Sequence, residues 1–133
     1  MSTLKAEHVQ LQFPKQSLPV LQDVNLSIES GTLNVILGES GCGKTTLLNI
    51  LAGFQKVDTG QVKIDDEVLN GPDARRAVVF QDHALLPWLN VEQNVGFALE
   101  LKGLRESEIE QQVTSILNIV GLSHVCLLYT SDA

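Results

Sequence analysis

The chain has 133 residues, of which 44% are hydrophobic, and this is enough for one globular domain with a core of its own. Its formal net charge of −7, from 16 acidic and 9 basic residues, argues against nucleic acid as the main partner, because nucleic-acid-binding proteins usually present a basic surface. No apolar run is long enough to cross a bilayer, and the N-terminus lacks the apolar core of a signal peptide, so a cytoplasmic protein is expected.

Three predicted strands open the chain. Residues 6–13 and 21–28 alternate apolar and polar side chains, and a period of two indicates strands with one buried face. Residues 33–37 are nearly all apolar, which predicts a strand that is covered on both faces.

A glycine-rich loop follows the third strand. After it, the apolar spacing predicts a helix from about Gly43 to Ala52, which Gly53 can end. Two short strands are predicted at residues 61–64 and 77–80, the second of them buried.

Two helices are predicted in the last third of the chain. The first covers residues 91–101, where apolar side chains recur at helical spacing. The second begins after a capping box formed by Ser107 and Glu110 and can end at Gly121. Its apolar residues fall on one face: Ile109, Val113, Ile116, Leu117 and Val120.

The glycine-rich loop contains the pattern G-x-x-x-x-G-K-[ST], in which Gly38, Gly43, Lys44 and Thr45 fill the four fixed positions. Glycine permits the left-handed turns through which backbone N–H groups converge on a polyphosphate. The N-terminus of the following helix favours the same anion, Lys44 adds a positive charge, and the Thr45 hydroxyl can bind Mg²⁺. The alternative, a chance glycine turn, requires all four positions to coincide between a strand and a helix, so nucleotide binding is predicted.

The sequence around this loop resembles the ATP-binding subunits of ABC transporters. The similar stretches are LQDVNLSIESGTLNVILGESGCGKTTLLNILAGF, then DTGQV, then VVFQ, which matches the family's Q-loop. The stretch FQDHALLPWLNVEQNV is most similar to importers for taurine, other sulfonates and nitrate. The resemblance covers roughly residues 4–122.

The resemblance implies an α/β fold: a P-loop NTPase core of the ABC ATPase type, with an antiparallel β subdomain and the start of the helical subdomain, truncated at the C-terminus. Residues 1–125 would form the N-terminal part of one ABC transporter nucleotide-binding domain, because the family's LSGGQ-type signature, Walker B Asp-Glu pair and switch histidine do not occur in the sequence. Residues 126–133, CLLYTSDA, no longer resemble the family. They can be encoded by TGT CTC TTA TAC ACA TCT GAC GCT, which resembles transposase adapter DNA, so a non-native tail is expected.

The resemblance also implies roles for individual residues. Gln81 is the Q-loop glutamine that senses Mg²⁺ and the γ-phosphate, and Thr45 and Gln81 together hold Mg²⁺. Phe13 is the candidate for the aromatic ring under adenine, with a core position at the end of a strand as the alternative. Trp88 is expected to face a membrane subunit, with a buried core position as the alternative. The phosphate cradle consists of Gly38, Glu39, Ser40, Gly41, Cys42, Gly43, Lys44, Thr45 and Thr46.

The implied function is that of the ATP-binding subunit of an ABC importer, which couples MgATP binding and hydrolysis to uptake of a small oxyanion such as taurine, another sulfonate or nitrate. The implied cofactors are ATP and Mg²⁺. The implied partners are a second ATPase subunit, integral-membrane permease subunits near the Q-loop and Trp88, and, indirectly, a periplasmic substrate-binding protein. The expected location is peripheral, at the cytoplasmic face of the inner membrane. Two alternatives remain open: a soluble ABC-type ATPase that is not linked to transport, and a nucleotide-binding fragment without hydrolysis.

We expect residues 1–133 by themselves to release no phosphate from ATP, because hydrolysis needs a polarised water as well as a phosphate cradle. The family's Walker B glutamate and switch histidine, which handle that water, are not present in the sequence. Phosphate release should equal that of a Lys44→Ala control. A saturable rate that depends on Lys44 would contradict the expectation.

Overall fold

The computed structural model describes residues 2–82, 84–125 and 127. The chain divides into two units, Met1–Val79 and Phe80–Ala133, which are described separately below. Apart from Leu127, the expected non-native tail lies outside the described residues.

The first unit is built on a four-stranded sheet. Its strands are β1 (Thr3–Leu11), β2 (Leu21–Glu29), β3 (Thr59–Ile64) and β4 (Glu67–Val68), in the order β2-β1-β3-β4. All three strand pairs are antiparallel, which confirms the predicted antiparallel β subdomain. β4 was not predicted, because two residues are too few for an alternating pattern to appear.

The pairing of β1 with β2 is interrupted by bulges. His8 and Asp23 lie in the left-handed region, with φ of 51° and 48°, where register shifts occur between the two strands. Their side chains pair at 2.7 Å between Nδ1 and Oδ1, and this contact, with a second hydrogen bond from Asn25, lowers the pKa of the Asp23 carboxyl. A left-handed backbone at non-glycine residues is uncommon and marks a locally bent strand.

A nine-residue helix, α1 (Lys44–Ala52), covers the sheet. The prediction of this helix and of its end is confirmed, since Gly53 caps it with a φ of 88°. The Arg76 guanidinium donates to the carbonyl oxygens of Leu51 and Gly71, which ties the last turn of α1 to the loop that follows β4. The core beneath α1 consists of Ala6, Val9, Leu11, Leu21, Leu47, Ile50, Leu51 and Val62.

The predicted strands at residues 33–37 and 77–80 are not formed, and this part of the prediction is wrong. A strand exists only where a neighbouring strand accepts and donates its backbone hydrogen bonds, and neither segment belongs to the sheet that the described residues form. Leu33 and Leu37, which were predicted to be covered on both faces, are exposed by 92% and 86%, and Val79, which was predicted to lie in a buried strand, is exposed by 99%. Apolar runs of this kind favour association with another strand.

The second unit contains two helices, α2 (Val91–Leu101) and α3 (Glu106–Ile119), followed by a 3₁₀ turn at Ser123–Val125. The bounds of α2 are those predicted. Within the described part of the chain, no helix combines the length and apolar character needed to span a bilayer.

The start of α3 differs from the prediction. The helix is capped at Arg105 rather than at Ser107, and Glu108 takes the place assigned to Glu110. The Glu108 carboxylate accepts from the Arg105 backbone N–H at 3.1 Å and from its guanidinium at 2.9 Å. The predicted pair, Ser107 and Glu110, and the observed pair, Arg105 and Glu108, have the same spacing. The pair with an additional ionic contact forms the cap.

α2 and α3 meet where Gly96 is buried. A Cβ at this position would lie 3.1 Å from Ile109 Cγ2 and 3.4 Å from Val113 Cγ2, so the absence of a side chain lets the two helices approach closely. Val113 and Leu117 are buried as predicted, but Ile116 and Val120 on the same predicted face are exposed.

We expect Gly96→Val to destabilise the second unit by about 1–3 kcal/mol, because the larger side chain overpacks the contact with α3. The matched control is Ala98→Val on the exposed side of α2, which should change stability by less than about 0.5 kcal/mol. Hydrogen exchange of the α2 and α3 amides measures both effects. Equal losses for the two variants would show that the Gly96 contact does not limit the packing.

Candidate nucleotide-binding site

The loop from Gly38 to Gly43 turns sharply before α1. Gly41 and Gly43 lie in the left-handed region, with φ of 81° and 97°. The Cys42 N–H donates to the Glu39 carbonyl oxygen at 3.4 Å. A Cβ at Gly38 would lie 2.7 Å from Cys42 Sγ, so the two ends of the loop are close together. Of the two glycines that the sequence pattern fixes, Gly43 is therefore required by the backbone path, and Gly38 leaves room for the Cys42 thiol.

The N-terminus of α1 carries unused hydrogen-bond donors. Gly43 is its N-cap and has no side chain to offer, no capping side-chain hydrogen bond is found among the described residues, and the first turn contains no acidic residue. The first intrahelical bond runs from the Leu47 N–H to the Gly43 carbonyl oxygen at 2.8 Å. The N–H groups of the first turn and the helix dipole together favour an anion at this position.

Lys44 reaches back across the loop. Its Nζ donates to the carbonyl oxygens of Gly38 at 2.9 Å and Glu39 at 2.6 Å, and it lies 3.7 Å from Cys42 Sγ. The ammonium group is thus held over the glycine loop, and the helix that follows this loop presents free N–H groups. This places a full positive charge beside a site that already favours an anion.

A cleft of about 450 Å³ adjoins the loop and is lined by Lys15, Gln16, Ser17, Leu18, Pro19, Val20, Gly41 and Cys42. Its two walls are the connection between β1 and β2 and the glycine loop itself. Gly43 joins these walls, since a Cβ there would lie 3.0 Å from Leu21 Cδ2 and 3.2 Å from the Val20 carbonyl oxygen. The polar residues from Lys15 to Ser17 were not predicted as site residues. Their position between two predicted strands that end near the loop could have indicated that they lie beside it.

The remaining predicted site residues have different surroundings. Thr45 is exposed at the start of α1, and Thr46 beside it is half-buried. Phe13 is half-buried and packs against the core, whereas the cleft is lined by the residues that follow it. Gln81 lies in the second unit and is exposed.

The residues of the loop fit a polyphosphate, because N–H donors and an ammonium group converge on one position. They also fit a Mg²⁺ ion bound to that phosphate chain, because such an ion commonly takes only one or two protein ligands and completes its coordination with phosphate oxygens and water. Among the described residues, no cluster of three or more His, Cys, Asp or Glu side chains offers a metal site independent of a nucleotide.

A comparison with family models decides the family. The model described as ABC transporter matches residues 21–131. The chain belongs to the ABC transporter family. The match includes the glycine loop, α1 and both helices of the second unit.

Known members of this family are similar over almost the whole chain. The taurine import ATP-binding protein TauB of Pseudomonas aeruginosa is 49% identical over 124 residues, which are 92% of this chain and 47% of that protein. The protein of the same name from Chromobacterium violaceum is 46% identical over 129 residues, or 97% of this chain and 49% of its own length. The chain therefore spans about half the length of the curated relatives it matches.

A solved structure of a more distant member has the same fold. It is the dimeric, post-hydrolysis state of the ATP-binding cassette MJ0796 bound to ADP and Pi. The TM-score is 0.81 at 28% identity, over 98% of this chain and 62% of that one. The predicted ABC ATPase fold is confirmed.

We expect Gly43→Ala to destabilise the first unit more than Gly41→Ala does. Both substitutions place a Cβ on a left-handed backbone, at a cost of about 1–2 kcal/mol. At Gly43 the Cβ also meets the Val20 carbonyl oxygen and the side chains of Val20 and Leu21, whereas nothing lies within 4 Å of it at Gly41. Denaturant unfolding compares the two variants, and equal losses would contradict a packing role for Gly43.

Proposed function

We propose that the full-length protein is the ATP-binding subunit of an ABC importer and couples MgATP binding and hydrolysis to uptake of taurine or another small oxyanion. The observation that carries this proposal is the uncapped N-terminus of α1 with the Lys44 ammonium held over it. A phosphate chain can accept hydrogen bonds from the N–H groups at the start of α1 and from the Lys44 ammonium group at the same time.

Within this proposal, the loop residues share the work of holding the nucleotide. The N–H groups at the start of α1 donate to phosphate oxygens, and Lys44 exchanges its present carbonyl acceptors for the β and γ phosphates. Thr45 and Gln81 hold Mg²⁺, which when bound neutralises charge that develops on the phosphate oxygens. Glu39 and Ser40 are exposed in the loop and contribute their backbone N–H groups to the cradle.

The base and ribose of the nucleotide are proposed to occupy the cleft beside the loop. Lys15, Gln16 and Ser17 line this cleft and offer polar groups close to the phosphate cradle. Phe13 is proposed to stack on adenine. This requires one face of its ring to be accessible to the base while the other packs against the core.

The proposal of a taurine importer is supported by relatives that are named taurine import ATP-binding proteins and are 46% to 49% identical to this chain. Other sulfonates and nitrate belong to the same proposal as alternative substrates. A second ATPase subunit is proposed as a partner, and the dimeric form of MJ0796 supports it. The further proposed partners are permease subunits in the inner membrane, at whose cytoplasmic face the protein would be peripheral, and a periplasmic substrate-binding protein.

We expect Lys44→Ala to weaken MgATP binding about 10- to 150-fold, because it removes a charge-assisted contact of the kind worth ~1.5–3 kcal/mol. Isothermal titration of the chain measures the affinity, with Lys56→Ala, an exposed lysine of the same unit, as the matched control. The same titration with Thr45→Ala should show a larger loss in the presence of Mg²⁺ than in its absence. Unchanged affinity in the Lys44 variant would overturn the assignment of the phosphate site.

A further inference from the structure

A tight turn in the second unit presents the chain's one tryptophan to solvent. The Leu89 N–H donates to the Leu86 carbonyl oxygen at 3.0 Å, which closes a four-residue turn with Pro87 and Trp88 at its centre. Proline in the second position fixes the backbone angle that such turns need. The Trp88 side chain is 69% exposed at the tip of this turn.

One side chain, that of Asn94 in the first turns of α2, holds the turn from below. Its Oδ1 accepts from the Leu86 N–H at 2.9 Å. Its Nδ2 contacts three carbonyl oxygens, those of Leu86 and Leu89 at 3.1 Å and of Asn90 at 3.0 Å. A single amide therefore binds both ends of the turn and the start of the helix.

The capping of α2 does not require Asn94. The Asn90 side chain accepts from the Gln93 N–H at 2.8 Å, and the Gln93 side chain accepts from the Asn90 N–H at 3.0 Å, which completes a capping box. Asparagine is a poor helix former, because its amide competes for nearby backbone groups. Three of the four hydrogen bonds of the Asn94 side chain are made to the Trp88 turn and one to Asn90, so the position of this residue mainly serves the turn.

An exposed tryptophan on a hydrogen-bonded turn suits recognition of another protein. Tryptophan is enriched among the residues that dominate interface energies, and a turn fixed beforehand loses little conformational freedom when it binds. Leu85 is half-exposed next to the turn. The exposed indole and this leucine fit a partner segment with an apolar pocket that receives them.

We propose that Asn94 is the positioning residue of a preformed docking turn, Leu86–Leu89, through which Trp88 anchors the membrane subunit of the importer. The proposal rests on the importer function proposed above. It adds the residue that fixes the geometry of the anchor and the chemistry of the segment that receives it.

The first test measures the turn without a partner. Trp88 is the chain's only tryptophan, so time-resolved fluorescence anisotropy reports on this turn alone. The wild-type signal should decay with the tumbling of the protein, whereas Asn94→Ala and Asn94→Asp should add a fast component on the nanosecond scale. Gln111→Ala, on an exposed part of α3, is the matched control, and circular dichroism verifies that each variant keeps its helices. An unchanged decay in both Asn94 variants would overturn the positioning role.

The second test measures docking on proteoliposomes that contain the permease subunit of the proposed importer, with protein-free liposomes as the lipid control. Trp88 emission should shift to shorter wavelength only with the permease, and Asn94→Ala should weaken binding about tenfold because the turn must then be ordered on binding. MgATP affinity should be the same in all variants. Full permease affinity in Asn94→Ala would overturn the proposal. Failure of the wild-type chain to bind the permease, or a shift with lipid alone, would overturn docking by Trp88, while the Lys44 titration separately decides the nucleotide site.

Discussion

The contact between Gly43 and the start of β2 is the constraint on which the candidate site depends. Gly43 is both the N-cap of α1 and the point where the glycine loop meets Val20 and Leu21. Because no Cβ intervenes, the helix can begin close to the sheet, and the glycine loop that leads into it borders the same cleft as the residues from Lys15 to Ser17. A phosphate chain held at the helix start would then extend toward the polar connection between β1 and β2.

Stability of the first unit and readiness to bind an anion come from separate parts of α1. The second half of the helix is buried against the sheet and closed by Gly53, with Arg76 tying its last turn to the loop after β4. The first turn is partly exposed, uncapped among the described residues and free of acidic side chains. A side-chain cap would typically stabilise the helix by about 1 kcal/mol but would occupy the donors that an anion needs. The absence of a cap is therefore a cost in stability that an anion bound to these donors would offset.

How much the sequence revealed depended on whether an element is stabilised locally. α1 with its Gly53 cap and α2 follow from spacing and caps within the segment itself, and both were predicted. The apolar runs at residues 33–37 and 77–80 were interpreted as buried strands, but a strand forms only with a partner, which the described residues do not supply. The bulge at His8 and Asp23 depends on cross-strand pairing and leaves no pattern in either strand alone. In the candidate site, the motif located the glycine loop and Lys44, while the cleft beside the loop could be found only from the path of the β1–β2 connection.

In the glycine loop and in the Trp88 turn, one side chain orders an exposed backbone segment by hydrogen bonds to its carbonyl oxygens. The ligands proposed for the two segments differ: a phosphate chain for the loop and a protein surface for the turn. In the loop, Lys44 bonds to the carbonyl oxygens of Gly38 and Glu39, and in the turn, Asn94 bonds to those of Leu86 and Leu89. Each side chain orders an exposed backbone segment before any ligand arrives, which lowers the conformational entropy lost on binding. The difference lies in what the side chain does next. Lys44 carries a charge that an arriving phosphate can capture from its carbonyls, so it joins the binding site, whereas the neutral amide of Asn94 stays beneath the turn and leaves the indole to make the contact. A backbone segment that is ordered by a cationic side chain therefore suits an anion that contacts this backbone. A segment that is ordered by an amide side chain suits a protein surface that contacts only the exposed side chain of the segment.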